Sequence, residues 1–350
     1  MTSLKNKKMS AEYPIDFVVT WLDSNDSKWL EEYGKYRPVK SSQTDARYRY
    51  WDVFKYWFRA VEKNAPWVNK IYLVTCGHYP KWLNLDNPKI VLVKHSDYIP
   101  EQYLPTFNSR CIELNFGRIE GLSEHFVYFN DDMFLNSPVS PETYFKNGLP
   151  LDFNYERVFL GVKYNPQDKF GIELSLLCNT AVLNYHFNRR EVIASAPEKW
   201  KWYGHNYTRL QKKMAFLMRH KERFEGFTYR HTEQPFLKSV FNEIWEKEPT
   251  MLDQSCTKFR TAESLTPYFV RYWQFASNQF EPFRPNGEFQ GFSIREDTLN
   301  KILEAFHNDN ILSICLNDNP CCNADFYNKA SELIMREFDK KYPNKSSFEI

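Results

Sequence analysis

Several signatures that would fix a function on sight are missing from this 350-residue chain. No Gly-x-Gly-x-x-Gly follows a strand-like run and no Walker-type loop occurs, which argues against a dinucleotide oxidoreductase and a P-loop kinase. His-Glu-x-x-His and Gly-x-Ser-x-Gly are also absent, which argues against a zincin and an α/β-hydrolase. The seven cysteines are scattered and form no Cys-x-x-Cys pair, so no zinc site is expected. Cys321 and Cys322 are adjacent, which suits chelation of one ion poorly; reduced thiols in the cytosol are the plainer expectation. No apolar run approaches the ~20 residues of a membrane span. Residues 1–13 are polar and Lys-rich, without the apolar centre of a secretory signal. The expectation is a cytoplasmic protein, at most loosely bound at the inner face of the cell membrane.

Charge of one sign is lacking too. The 46 Lys and Arg against 44 Asp and Glu leave +2, so no global field points to nucleic acid as a partner. A local basic cluster runs from Gln211-Lys212-Lys213 to Arg223. Apolar material is ample: 42% hydrophobic and 17% aromatic residues exclude a disordered chain. A chain of this length buries roughly three quarters of its unfolded surface, enough to need no disulfide or metal staple.

Four short apolar runs, at 15–22, 70–75, 89–95 and 125–129, read as strands buried on both faces. Between the first two, Val53, Phe54, Trp57, Phe58 and Val61 share one helical face, with Asp52 able to cap it and Asn64-Ala65-Pro66 to end it. Strand, helix, strand implies a right-handed crossover and a Rossmann-like α/β fold with a mainly parallel sheet flanked by helices. A more helical half follows from about residue 151. There 233–245, the set Leu299, Ile302, Leu303 and Phe306, and the set Phe326, Ala330, Leu333, Ile334 and Phe338 repeat at helical spacing. We expect a nucleotide-sugar half over 13–150 and a helix-rich half over 151–350, sharing one cleft or forming one continuous domain.

In parallel sheets ligands sit beyond the carboxyl ends of the strands, so the polar residues there are the candidates. Asn130-Asp131-Asp132 follows an apolar run and offers the oxygen ligands that suit Mg²⁺; Asn and Asp also favour a plain capped turn, and the spacing fits both equally. Asp23, after the first run, could hold a ribose, a base or a metal, or close an Asx-type turn. Asn108 and Ser109 lie in a Pro-punctuated loop, able to bond sugar or phosphate oxygens or each other's backbone. His231 stands just before a helix expected to start near Glu233. That helix N-terminus would favour the neutral imidazole a general base requires, and would attract phosphate; a structural histidine is the alternative. Arg260, Arg47 and Arg49 carry guanidinium forks that match phosphate oxygens or form surface ion pairs. Asn317-Asp318-Asn319 is a further polar turn. Trp202, Tyr203, Tyr272 and Trp273 could stack on sugar faces or fill the core.

Taken together these segments resemble the Stealth family, which contains bacterial capsular and receptor polysaccharide phosphotransferases and the catalytic part of N-acetylglucosamine-1-phosphotransferase. The likeness spans residues 13–349 in four blocks: IDFVVTWLDSNDSKW; then RYRYWDVFKYWFRAVEKNAPWVNKIYLVTCGHYPKWLN, LPTFNSRCIE and GLSEHFVYFNDDMFL; then HTEQPFLKSVF to KFR; and SICLND with YPNKSSFE. The chain departs from the pattern at Leu22-Asp23-Ser24, where the family often has Val-Asp-Gly. The resemblance implies transfer of a whole sugar-1-phosphate from a nucleotide-diphosphate sugar, expected to be UDP-linked, to a hydroxyl of a glycan or lipid-linked oligosaccharide. It implies Mg²⁺ or Mn²⁺ held by Asp131 and Asp132 with Asn317 or Asp318. His231 would take the acceptor proton, Arg47 and Arg260 would neutralise phosphoryl charge, and Asp23, Asn108 and Ser109 would position the donor. A metal-dependent glycosyltransferase and a non-catalytic scaffold of polysaccharide assembly are the competing expectations.

Overall fold

The computed structural model describes residues 12–37, 52–157, 172–204, 207–318 and 324–350. Eleven strands among them are β1 (Ile15–Thr20), β2 (Ile71–Thr75), β3 (Ile90–Lys94), β4 (His125–Phe129), β5 (Met133–Leu135), β6 (Phe145–Lys146), β7 (Leu149–Asp152), β8 (Gln234–Leu237), β9 (Glu281–Pro282), β10 (Phe289–Ser293) and β11 (Ser313–Asn317). The helices of the first half are α1 (Ser27–Tyr36), α2 (Phe54–Asn64), α3 (His95–Tyr98) and α4 (Ser109–Leu114). Those of the second are α5 (Ile172–His186), α6 (Arg189–Ser195), α7 (Trp200–Tyr203), α8 (Arg209–Leu217), α9 (Lys238–Lys247), α10 (Pro249–Ser255), α11 (Pro267–Ala276), α12 (Glu296–Phe306) and α13 (Ala324–Lys341). None of the described helices is long and apolar enough to cross a membrane.

The expected α/β class is what forms. The main sheet runs β3-β2-β1-β4-β8, with β3, β2, β1 and β4 parallel and β8 antiparallel on the edge. β1 lies second from neither edge: Phe17 faces Ile71 on one neighbour and Val127 on the other. Its residues Ile15 to Val19 are all buried, as a strand covered on both faces requires. The order reverses at β1, since β2 and β3 extend to one side and β4 to the other. The crevice at the carboxyl ends of β1 and β4 is therefore the topological switch point, where open α/β sheets bind ligands. Buried Asp16, at the opposite end of β1, is structural: its carboxylate accepts from Asn69 Nδ2 at 2.7 Å, Lys70 N at 3.1 Å and Ser123 N at 2.8 Å.

α2 is buried on more than one face because it lies between the sheet and the C-terminal segment. Tyr56 stacks on Phe338 of α13 at 5.0 Å, and Arg59 grips Glu349 through two hydrogen bonds of 2.8 and 2.7 Å. The YPNKSSFE block is thus a strap holding α2 against the sheet. The N-cap of α2 is Val53, with no side-chain cap, rather than Asp52.

The stretch 233–245 is not one helix. Residues 234–237 form β8, and the helix begins at Lys238. A short apolar run fits a strand or a helix turn equally, and tertiary pairing with β4 decides. Pro235 is tolerated because β8 is an edge strand. Its outer side is covered by Gln274 of α11, which accepts from Leu237 N at 3.0 Å and donates to Pro235 O at 3.4 Å. Two smaller sheets, β10-β11-β5 and β6-β7-β9, again join strands from before and after residue 151.

Candidate active site

The β4–β5 turn carries Asn130-Asp131-Asp132 past the sheet end. Met133 N closes it on Asn130 O at 3.2 Å, and Leu316 N on Asp132 O at 2.9 Å fixes it to β11. The antiparallel pairing sets Cys315 opposite Met133, so the thiol lies behind the acidic turn. From the other side comes the segment before β8, held by Tyr268, whose hydroxyl donates to Arg230 O at 2.7 Å, and by Gln234, whose amide donates to Thr232 O at 2.9 Å. It brings His231 Nε2 to 3.7 Å from Asp132 Oδ2. Ligand atoms of Asp132, His231 and Cys315 all lie within 4.8 Å of one another.

Asp132 and His231 therefore meet although 99 residues separate them in sequence. The helix-terminus argument for a neutral His231 does not hold, because a strand and not a helix follows it. Burial lowers its pKa, but the neighbouring Asp132 carboxylate raises it further, and the net shift is upward. The other Asp132 oxygen, Oδ1, is buried without a hydrogen-bond partner. Asp131 is exposed by surface area yet crowded by surrounding atoms; that crowding, then the charge of Asp132, push it up to about 7. Burial and the same carboxylates hold Cys315 as a neutral thiol. An unpartnered carboxylate oxygen beside a second carboxyl on the same turn is a donor set that fits a hard divalent cation, and the amide of Asn317 lines the cavity that His231 also lines.

That cavity encloses about 400 Å³ between β4, α4, the 229–234 segment and α11, large enough for part of a nucleotide sugar. Ser109, Tyr128, Asn130, His231, Arg260 and Asn317 line it, with Glu113 at its back. Arg260 and Ser109 are in direct hydrogen-bond contact. The pairing is enforced by the loops behind them: Phe259 stacks on Phe107 at 5.4 Å, and Phe107 N bonds Lys258 O at 2.8 Å. Glu113, one turn beyond Ser109 on α4, accepts from Tyr128 OH at 2.9 Å. Burial raises the Glu113 pKa, while the Arg260 charge opposes the rise.

The structure thus brings together Asp132, His231, Arg260, Ser109 and Asn317. Asp131, Asp132, Asp318 and Asp23 are not among the residues lining the cavity; Asp132 borders it through His231. Asp23 closes an Asx turn, Oδ1 accepting from Asn25 N at 2.9 Å, while its N–H donates to His78 Nε2 at 2.8 Å. Arg47 and Arg49 lie outside the described residues. The expectation that Asn108 touches the donor is corrected. It is fully buried, its Oδ1 caps α4 by accepting from Arg110 N at 3.1 Å, and its Nδ2 donates to Ser255 O at 3.1 Å. Both ends of the amide are occupied. Trp202, Tyr272 and Trp273 are core residues. Reading the sequence missed Glu113 and Tyr128. The Ser109–Glu113 spacing of four on a helix was the available signal for the first; Tyr128 is indistinguishable from strand core until its hydroxyl is placed.

Residues 47–151 match the family model for Stealth protein CR2, conserved region 2. The chain is 38% identical over 342 residues to capsular polysaccharide phosphotransferase WcwK of Streptococcus pneumoniae, covering 96% of this chain and 98% of that protein. It is 36% identical to exopolysaccharide phosphotransferase cps2G of Lactiplantibacillus plantarum, covering 97% of each. To receptor polysaccharide phosphotransferase WefC of Streptococcus gordonii the identity is 34%, over 96% of this chain and 99% of that one.

Proposed function

Because the chain belongs to the Stealth family of polysaccharide phosphotransferases, we propose that it moves a sugar-1-phosphate from a nucleotide-diphosphate sugar onto a glycan hydroxyl. The product is a phosphodiester within a capsular or other cell-surface polysaccharide. The acceptor oxygen attacks the phosphorus that bears the sugar, the bond from that phosphorus to the bridging oxygen breaks, and a nucleoside monophosphate leaves with the electron pair.

The supporting observation is the approach of Asp132 to His231 at the sheet's switch point, 3.7 Å apart, with His231 lining one cavity together with Arg260. In this reading His231 takes the acceptor proton, and the facing Asp132 oxygen makes it a stronger base. Arg260, steadied by Ser109, offsets charge on the transferred phosphoryl group. Asp132 Oδ1 and Asp131, with the Asn317 amide, would hold Mg²⁺ or Mn²⁺, which when bound supplies positive charge to the donor's pyrophosphate. Ser109, which lines the cavity, positions the donor.

The test is incubation with a panel of nucleotide sugars, UDP-linked donors first, plus Mg²⁺, scoring the released nucleotide and ³¹P phosphodiester signals. Monophosphate release that a chelator stops and Mg²⁺ or Mn²⁺ restores is the expected result. Asp132→Ala and His231→Ala should each remove turnover, the latter by about 10²–10⁴-fold. Release of nucleoside diphosphate would identify a glycosyltransferase. Polymer synthesis untouched by both substitutions would identify a scaffold.

A further inference from the structure

α8 is built the wrong way round for a helix that only supports a core. Thr208 and Gln211 cap it reciprocally, so it is a formed helix and not a loose loop. Yet the residue it buries is Ala215, which packs with Phe153 and Tyr207 in a small cluster separate from the main core. Its large apolar side chains point outward: Leu210 is 69% exposed, and Phe216 and Leu217 are 59% exposed each. On the adjoining α7, Trp200 and Tyr203 are also exposed. Single exposed apolar residues need no explanation, but a group of this size on one short segment does.

The charges between them have one sign. Residues 207–221 contain five Lys and Arg and no Asp or Glu. Arg209, Lys212 and Lys213 share the exposed face of α8 with the three apolar side chains. Arg219 lies over the Phe216 ring at 3.7 Å. None of these four cations forms a salt bridge with a described residue. Large apolar side chains flanked by cations without an acidic partner on an amphipathic helix are what an anionic interface attracts, the apolar groups entering the acyl boundary and the cations meeting phosphate headgroups. A second copy of the chain fits worse, because a two-fold contact would set this cationic patch against itself.

We propose that the α7–α8 face docks this protein on an anionic lipid bilayer. This rests on the function above only for its purpose, which is to hold the cavity at the surface where a lipid-linked acceptor resides.

The full chain is mixed with vesicles of phosphatidylglycerol and phosphatidylcholine, or of phosphatidylcholine alone, and floated at several NaCl concentrations. Binding to the anionic vesicles, weakened by salt and nearly absent on the neutral ones, is the predicted result. Lys212→Gln with Lys213→Gln should lower vesicle affinity about 30-fold, from about 1 kcal/mol per cation at an anionic surface. Leu210→Ser with Phe216→Ser keeps every charge and should still lose most of the binding. Turnover with a water-soluble acceptor should be unchanged in both double variants, since neither touches the cavity. Vesicle binding that is absent, or equal in the wild type and both variants, overturns the proposal. So does a dimer in sedimentation velocity that the apolar variant abolishes, which would assign the face to a second copy. Lost docking with intact turnover refutes only this proposal, while intact docking without turnover refutes only the function.

Discussion

Asn108 offers a sharp test of the difference between a residue that holds a site and one that touches the substrate. In Asn108→Ala the hydrogen bonds of the amide disappear, two of 3.1 Å and a longer one of 3.4 Å to Thr257 Oγ1. The α4 N-cap acceptor for Arg110 N is lost, which typically costs about 1 kcal/mol, with a range of roughly 0.5–2. The donor to Ser255 O is lost as well, leaving a buried carbonyl short of its partner for about 1–3 kcal/mol. The sum is about 2–4 kcal/mol of stability. Asn108→Ser separates the parts, because a serine caps about as well as asparagine but does not reach Ser255; it should lose only the second, about 1–3 kcal/mol. Urea unfolding followed by tryptophan fluorescence reads both, and donor KM is measured beside it. The two variants should unfold in the order Ala before Ser before wild type. Where the variants are folded, donor KM should stay close to wild type, since Asn108 does not line the cavity and Ser109 keeps its place on α4. An unfolding midpoint equal to wild type, together with a raised donor KM, would refute the structural assignment and restore Asn108 to the donor site.

Two further outcomes follow from buried charge. Arg271 and Asp152 have side chains only 2% exposed and pair through Nε and Nη2 of the guanidinium, whose Nη1 donates to Thr228 O at 2.7 Å. Arg271→Met strands the carboxylate and should cost about 3–5 kcal/mol in denaturant unfolding, while adding Asp152→Leu should regain much of it. Glu233 is buried between Ser313 and Tyr144, with burial raising its pKa above the ordinary 4.5. A raised folded pKa means the folded state favours the protonated carboxyl, so its contribution is full at low pH and is lost as pH rises through the folded value. Glu233→Gln should therefore match wild-type stability near pH 4 and exceed it near pH 8, as read from paired urea curves; a gap that does not grow with pH would refute this.

The parallel core was legible because doubly buried strands leave dense apolar runs, and β1, β2, β3 and β4 all fall within the runs seen in the sequence. β8 was not, since four residues with a proline carry no periodicity, and only the vacant edge of β4 and the covering Gln274 decide their shape. The acidic turn could be found as a strand end, but not the atoms: one oxygen of Asp132 faces His231 and the other lacks a partner, a division that exists only after folding. Residue type alone made Asn108 a candidate, because an amide that caps a helix and an amide that binds a sugar look alike in sequence. The exposed face of α8 was visible only as a basic run; that its apolar residues also point outward required the packing of Ala215 beneath it.

In the proposed reaction the sugar leaves the donor together with its phosphate. A nucleotide sugar carrying ³²P on the sugar-linked phosphate decides it. Transfer as sugar-1-phosphate moves the label into the glycan, where it survives phosphatase treatment as a phosphodiester, and leaves unlabelled nucleoside monophosphate. Label retained wholly in nucleoside diphosphate, with none in the glycan, would contradict the account.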